Sequence, residues 1–215
     1  MTVNKHLTVN KHLTVNEHLL EAFLTGRRPI FTVYEPGCVE IVLGMGARAE
    51  QDIFLERAGA DGVPVLRRKG GGGTVLLSPG QVVLALVTEV GRPFNNLEYA
   101  RCINRWFKGS LSDLGVVGIE ERGITDLAIG DRKILGASLY RRRLVLFYQA
   151  SLLVENDTSL FSRYLTYPTR VPDYRNGRNH DLFCTTLKQE GYAITVSQVI
   201  KNLEDAVGRN LPALI

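Results

Sequence analysis

Four consecutive glycines, Gly70 to Gly73, stand between two stretches that read as β-strands in "VPVLRRKGGGGTVLLSPGQVVLALV", residues 63–87. A glycine in a folded segment costs up to about 1 kcal/mol relative to alanine, so a run of four implies a backbone that is approached closely or bent unusually. The flanks decide which kind of loop this is. A P-loop needs GxxxxGK[ST] opening a helix, and a dinucleotide fingerprint needs GxGxxG opening a helix, whereas here strand leads to strand. The main chain itself is then expected to floor a site, with amide N–H groups open to an anion and Arg67 or Arg68 able to grip phosphate or carboxylate through two parallel bonds.

The remainder of the chain reads as α/β. "IFTVYE" (30–35), "CVEIVLGMG" (38–46), "VPVLRR", "VVLALV" and "LVLFYQASLLV" (144–154) are rich in β-branched and aromatic residues and end at Gly, Pro or charge, the marks of strands. Helical spacing puts Leu97, Ala100, Ile103, Phe107, Leu111 and Leu114 on one stripe between Asn96 as N-cap and Gly115 as stop. A second stripe carries Val199, Ile200, Leu203, Ala206 and Val207. No linker interrupts residues 14–215, which are expected to form one domain without a C-terminal accessory domain.

Ahead of that domain, TVNKHL occurs twice and TVNEHL once within residues 2–19. A six-residue period advances about 240° beyond whole helical turns, which scatters the Val and Leu of successive copies around a helix. The third copy alone, with Glu17, makes a capping box (Thr14-Val15-Asn16-Glu17) before a helical run that stops at Gly26. Residues 1–13 are therefore read as an extension, and His6, His12 and His18 as solvated side chains.

Composition excludes more than it identifies. With 45% apolar residues the chain can bury a core, no apolar run nears the roughly 18 residues a bilayer requires, and the N-terminus lacks the apolar centre of a signal peptide, so a cytoplasmic protein is expected. Cys38, Cys102 and Cys184 are too scattered for a disulfide framework or a zinc site. A net charge of +4 suits nucleic acid, an anionic substrate or an acidic partner equally. The basic "YRRR" (140–143) falls at an expected turn and lacks an aromatic platform, which argues against nucleic acid.

A second segment, "GITDLAIGDRKILGASLY" (123–140), sets Lys133 ahead of Gly136, Ala137 and Ser138, small residues that leave room for something to pack. Together, "RRKGGGGTVLLSPGQ" and "DRKILGAS" resemble the lipoate-protein ligases of the biotin and lipoate protein ligase superfamily, whose patterns are RRxSGGGxV and KxxGxA. The resemblance covers roughly residues 15–190. It implies a mixed β-sheet flanked by helices, the fold shared with class II tRNA synthetases. It also implies ATP- and Mg²⁺-dependent activation of lipoate or octanoate to an acyl adenylate. The acyl group would then pass to a lysine of a lipoyl carrier: a dehydrogenase E2 domain, a glycine-cleavage H protein or a sulfur-oxidation lipoate-binding protein.

Carried onto this chain, the resemblance lines the adenylate with Arg67, Arg68, Gly70, Gly71, Gly72, Gly73 and Thr74. Lys133 becomes the central cation, reaching the acyl carbonyl and the α-phosphate, with Gly136, Ala137 and Ser138 behind it. Asp126 becomes a contact for Mg²⁺ or nucleotide. A fixed ammonium stabilises the charge developing on phosphorus more than it stabilises the separated substrates.

The departures from the pattern bear on the reaction. Gly70 stands where the ligases usually have Ser, and Leu77 where they have His. "YQAS" (148–151) replaces a His-His-Gly run, so that Gln149 takes the place of a histidine, and "SPGQ" (78–81) is more like the related octanoyltransferases. Those enzymes need no ATP and pass the acyl group through a cysteine thioester. Their Pro-Cys-Gly turn corresponds to Pro168-Thr169 here, without the thiol, and Cys184 lies too far along the chain to be equivalent unless folding brings it near. The segment 167–181, with Arg170, Arg175, Arg178 and His180, is a candidate for guarding the nucleotide or docking an acidic carrier.

Overall fold

The computed structural model describes residues 15–92 and 95–214. In chain order the first half contains α1 (Glu17–Gly26), β1 (Ile30–Tyr34), β2 (Glu40–Leu43), α2 (Ala49–Asp52), α3 (Leu55–Ala60), β3 (Val65–Arg67), β4 (Val75–Leu77), β5 (Gln81–Glu89) and α4 (Asn96–Asp113). The second half contains β6 (Ile119–Arg122), β7 (Asp126–Ile129), β8 (Arg132–Arg142), β9 (Val145–Leu153), α5 (Ser159–Tyr164), α6 (His180–Phe183) and α7 (Val196–Asn210).

Six strands form a sheet in the order β1-β5-β9-β8-β7-β6, every neighbouring pair antiparallel. A smaller sheet, β3-β2-β4, supplies the mixed pairing expected from the sequence: β2 runs parallel to β3 and antiparallel to β4. The central strand β5, "QVVLALVTE", is buried on both faces, which is why it shows a continuous apolar run instead of alternation. On one face Val82, Leu84 and Leu86 join Leu146, Tyr148 and Leu152 beneath α4 and α7, whose Ile103, Phe107, Leu111, Val199, Leu203 and Val207 fill the main core. Each such side chain contributes about 1.5–3 kcal/mol by burial. Tyr148 belongs in this apolar layer because its hydroxyl donates to Asn104 Oδ1 at 2.8 Å.

The other face positions the site. Ala85, Val87 and Phe147 meet Leu19, Leu20 and Phe23 of α1, and Val83 meets Val42 and Leu77 of the small sheet. Loops between these two coverings reach the sheet where β8 and β9 place Ser138 opposite Gln149.

Helix ends depart from the sequence reading by a residue or so. α4 is flanked by Asn95 in place of Asn96, and Leu97 stays exposed while Ala100, Ile103, Phe107 and Leu111 are buried. α1 ends on Arg27, not Gly26: Arg27 takes the left-handed conformation (φ 52°) and its N–H bonds Phe23 O at 2.7 Å. Residues 1–13, His6, His12 and the capping residue Thr14 lie outside the described residues; His18 is exposed. Among the described residues no helix is long and apolar enough to cross a membrane.

Candidate active site

The glycine loop is held in place by its own arginines. Arg68, only 6% exposed, donates from Nη2 to Gly71 O (2.8 Å) and Gly73 O (2.7 Å) and from Nη1 to Val42 O (3.3 Å). Arg67 Nη1 meets the carbonyls of Gly44 (2.7 Å), Ala47 (3.1 Å) and Met45 (3.2 Å). These contacts revise the expectation that Arg67 or Arg68 offers its fork to a ligand: Arg68 in particular is committed to main-chain carbonyls that a tight glycine turn leaves without partners. Burial pulls the Arg68 pKa down to about 10, which still leaves a cation at neutral pH. Thr74 closes the far end of the loop by donating to Asp52 Oδ2 at 2.6 Å.

Close approach explains some of the glycines and open space the others. Gly72 needs φ +88°, and the carbonyl of this residue passes where a Cβ on Gly44 would be. Gly44 was not singled out from the sequence, although it ends the β2 strand pattern. Gly70 packs on β8, where a Cβ would meet Ser138 Oγ at 2.9 Å. Gly71 and Gly73 have nothing within 4 Å of a Cβ position, so it is their side of the loop that a ligand can approach. The two sequence motifs thus meet at Gly70 and Ser138.

Lys133 owes its placement to an irregularity. β7 pairs Leu127 with Leu135 but Ala128 with Lys133, so β8 carries one extra residue, Ile134. Residues three apart on a regular strand point to opposite faces. With Ile134 inserted, Lys133 Nζ instead crosses Gly136, 2.7 Å from where a Cβ would be, and pairs with Asp126 Oδ1 at 2.7 Å. Tyr174 donates its hydroxyl to Asp126 Oδ2 at 2.9 Å. Both carboxylate oxygens of Asp126 are thereby engaged, and no group of three or more His, Cys, Asp or Glu suited to a metal occurs among the described residues. Asp126, the expected contact for Mg²⁺ or nucleotide, is held here by Lys133 and Tyr174 and orients the lysine. Ala137 lends its carbonyl to Thr125 Oγ1 (3.0 Å), and Gln149 donates to Val15 O (3.1 Å), which brings the start of α1 over the floor.

The segment after α5 folds back over this ion pair. Phe183 is its hub: the Tyr174 ring lies 5.0 Å from it, and the guanidiniums of Arg175 and Arg178 stack at 4.8 and 5.6 Å. Arg175 is buried and also stacks on Tyr167 at 4.9 Å. Arg178 bonds Asp131 Oδ2 (2.8 Å) and Tyr174 O (2.7 Å), pinning the segment to the β7–β8 turn. His180 Nε2 lies 3.0 Å from Thr166 O; since a carbonyl only accepts, this nitrogen carries the proton. Arg170 is exposed and stands apart from these contacts. Tyr174 was the member missed, concealed in a stretch that reads as a charged loop.

Folding does bring Cys184 to Lys133. The two residues form a parallel bridge, and Thr185 N–H donates to Lys133 O at 2.9 Å. Burial pushes the thiol up to about 11, against the opposing pull of Lys133 and Arg175.

A glycine cradle beside a carboxylate-oriented lysine, on an antiparallel sheet backed by two helices, defines an α/β domain of the lipoate ligase fold. Lipoate-protein ligase A bound with ATP superposes with a TM-score of 0.76 at 22% identity, covering 91% of this chain and 78% of that one. A Thermoplasma acidophilum bipartite lipoate protein ligase, described with its E2 lipoyl domain, gives a TM-score of 0.74 at 21% identity, covering 87% and 72%. The chain belongs to the lipoyl protein ligase A/B catalytic domain family, which matches residues 8–208. It is 26% identical over 159 residues to lipoate-protein ligase A subunit 1 of Thermoplasma acidophilum, covering 70% of this chain and 60% of that protein. It is 30% identical over 122 residues to an octanoyltransferase of Prochlorococcus marinus, covering 56% and 52%. The chain thus spans about half to three-fifths of the curated relatives it matches.

Proposed function

We propose that the chain is the catalytic unit of a lipoate-protein ligase, activating lipoate or octanoate with ATP and passing the acyl group to a lysine of a lipoyl domain. The observation that carries this reading is the placement of Lys133 Nζ, held by Asp126 across Gly136. In the first step a carboxylate oxygen of the acid attacks the α-phosphorus and the bond to the β-phosphate breaks, so pyrophosphate leaves with the electron pair. Lys133 would offset the charge gathering between two anions, and the glycine loop would supply a flat wall with main-chain donors. In the second step the carrier amine attacks the acyl carbon, loses a proton to solvent, and AMP departs. The Mg²⁺ that accompanies ATP would arrive on the phosphates, because Asp126 is already shared between Lys133 and Tyr174. The ligase structure bound with ATP and the one described with an E2 lipoyl domain support both the nucleotide and the acceptor.

One observation favours a second reading, a cysteine octanoyltransferase: Cys184 lies against Lys133. A thiol near pKa 11 is ionised to roughly one part in ten thousand at neutral pH, which makes a poor nucleophile. A mass spectrum after incubation with lipoate or octanoate, Mg²⁺ and ATP separates the two. The ligase yields acyl-AMP, loses it in Lys133→Ala and keeps it in Cys184→Ser. An acyl thioester on Cys184, formed from an octanoyl thioester donor without ATP, would overturn the ligase.

A further inference from the structure

At the end of the large sheet away from Lys133, arginines gather from separate parts of the chain. Arg27 and Arg28 lead into β1, Arg92 follows β5, and Arg141, Arg142 and Arg143 form the β8–β9 corner. Arg141 organises the group: its Nη2 donates to Arg92 O (2.6 Å), its Nε to Arg143 O (2.6 Å), and its guanidinium stacks 5.3 Å from the Tyr99 ring. The other five are exposed. None of the six belongs to the salt bridges found elsewhere among the described residues, which join Lys69, Arg101, Arg122, Arg132, Lys133, Arg163, Arg178 and Lys188 to carboxylates.

Two of these arginines occupy positions that favour glycine. Arg27 is the left-handed residue that ends α1, with φ 52°, where glycine is the usual occupant. Arg143 has φ 54° in the two-residue turn between β8 and β9, where a positive φ at the first position again favours glycine. An L-residue is strained there, and among the described residues neither side chain offsets that strain through an ion pair. An arginine kept where glycine would be unstrained is a pointer to function.

We propose that this end of the sheet is a docking surface for an acidic protein segment, engaged by the exposed guanidiniums of Arg27, Arg28, Arg92, Arg142 and Arg143. Four neighbouring strands separate the outer arginines by about 14 Å, and carboxylates at every fourth residue of a helix are about 6 Å apart, so a short acidic helix matches the patch. A nucleic acid fits less well: the Tyr99 ring is already covered by Arg141, and the cluster is a compact area instead of a track. Lys133 and Arg142 stand near opposite ends of the 11-residue β8, roughly 30 Å apart, so the patch lies well outside the adenylate site.

The test uses the full chain and a fluorescent helical peptide with glutamate at every fourth position, read by anisotropy at low salt. Arg27→Glu with Arg142→Glu should weaken binding at least about tenfold, while Arg105→Glu with Arg209→Glu, an equal charge change on exposed residues of α4 and α7, should change it less than about twofold. Arg143→Gly should raise Tm by about 2–4 °C and still weaken the peptide. Equal losses in the two double variants, a lower Tm in Arg143→Gly, or tighter binding of an oligothymidylate than of the peptide would each overturn the proposal.

Discussion

Lys133 lies across the α-carbon of Gly136: a Cβ on residue 136 would sit 2.7 Å from Nζ and 2.9 Å from Cε. The glycine is therefore part of the lysine's seat. Gly136→Ala should leave the fold nearly untouched, because the obstructed atoms are the far end of a flexible side chain, yet it should move the ammonium off Asp126. Acyl-adenylate formation is expected to fall about 10²-fold or more with little change in Tm, as for loss of one electrostatic contact to the transition state. Stopped-flow adenylate formation beside a thermal melt checks this, and a variant with full activity would show that the ion pair does not set the rate.

Gly70 and Ser138 make a second coupled pair. The ligase patterns have Ser at the first position and Ala at the second; this chain has Gly70 and Ser138, and the hydroxyl of Ser138 lies 2.9 Å from the Cβ position of residue 70. Gly70→Ser should destabilise by about 1–3 kcal/mol through overpacking, Ser138→Ala alone by less than about 1 kcal/mol, and the double variant should recover most of the loss. Urea denaturation of all four proteins measures the coupling; strict additivity would refute the exchange.

Arg68 serves the loop. Arg68→Lys keeps the charge but cannot reach Val42 O, Gly71 O and Gly73 O with one planar fork. A loss of about 2–4 kcal/mol is expected from hydrogen bonds to a buried charge, seen as a lower denaturation midpoint in the absence of nucleotide. Unchanged stability with weakened ATP binding would instead return Arg68 to the role of a ligand contact.

His180 gives the loop over the site a pH dependence. Burial holds its pKa below the ordinary 6.5, so the unfolded chain takes up this proton at a higher pH than the folded one. The histidine's contribution is present above 6.5 and is lost as the pH falls through its folded value. Tm measured from neutral pH down to about pH 5 should drop more steeply for the wild type than for His180→Gln, whose amide can still donate to Thr166 O. Parallel curves would show that the ring is not titrating in that window.

What was legible in the sequence follows from the range of each interaction. The strands flanking the glycine loop and the stripe of α4 from Ala100 onward rest on local pattern, and the structure has them. Arg68 was read as a grip for ligand because sequence shows five donors but not the carbonyls of residues 42, 71 and 73 that take them. Cys184 and Tyr174 join Lys133 and Asp126 through pairings some fifty residues apart in the chain, which periodicity cannot reveal. Arg27 shows the limit on the finest scale: glycine is present one residue early, and the turn falls on its neighbour.

The extra residue in β8 also makes the site depend on an irregularity of the strand in a way substitutions do not reveal. Replacing Ile134 with another apolar residue would alter packing by degrees. Forcing the same residues into strict alternation, with Ile134 paired and no bulge, would leave Lys133 three regular positions from Gly136 and turn it toward the oily layer under α4 and α7, whereas deleting Ile134 would set the two residues two apart and keep the lysine on its face. A redesign that ironed the bulge out while keeping every residue would therefore produce a straighter ladder with its chemistry facing the wrong way.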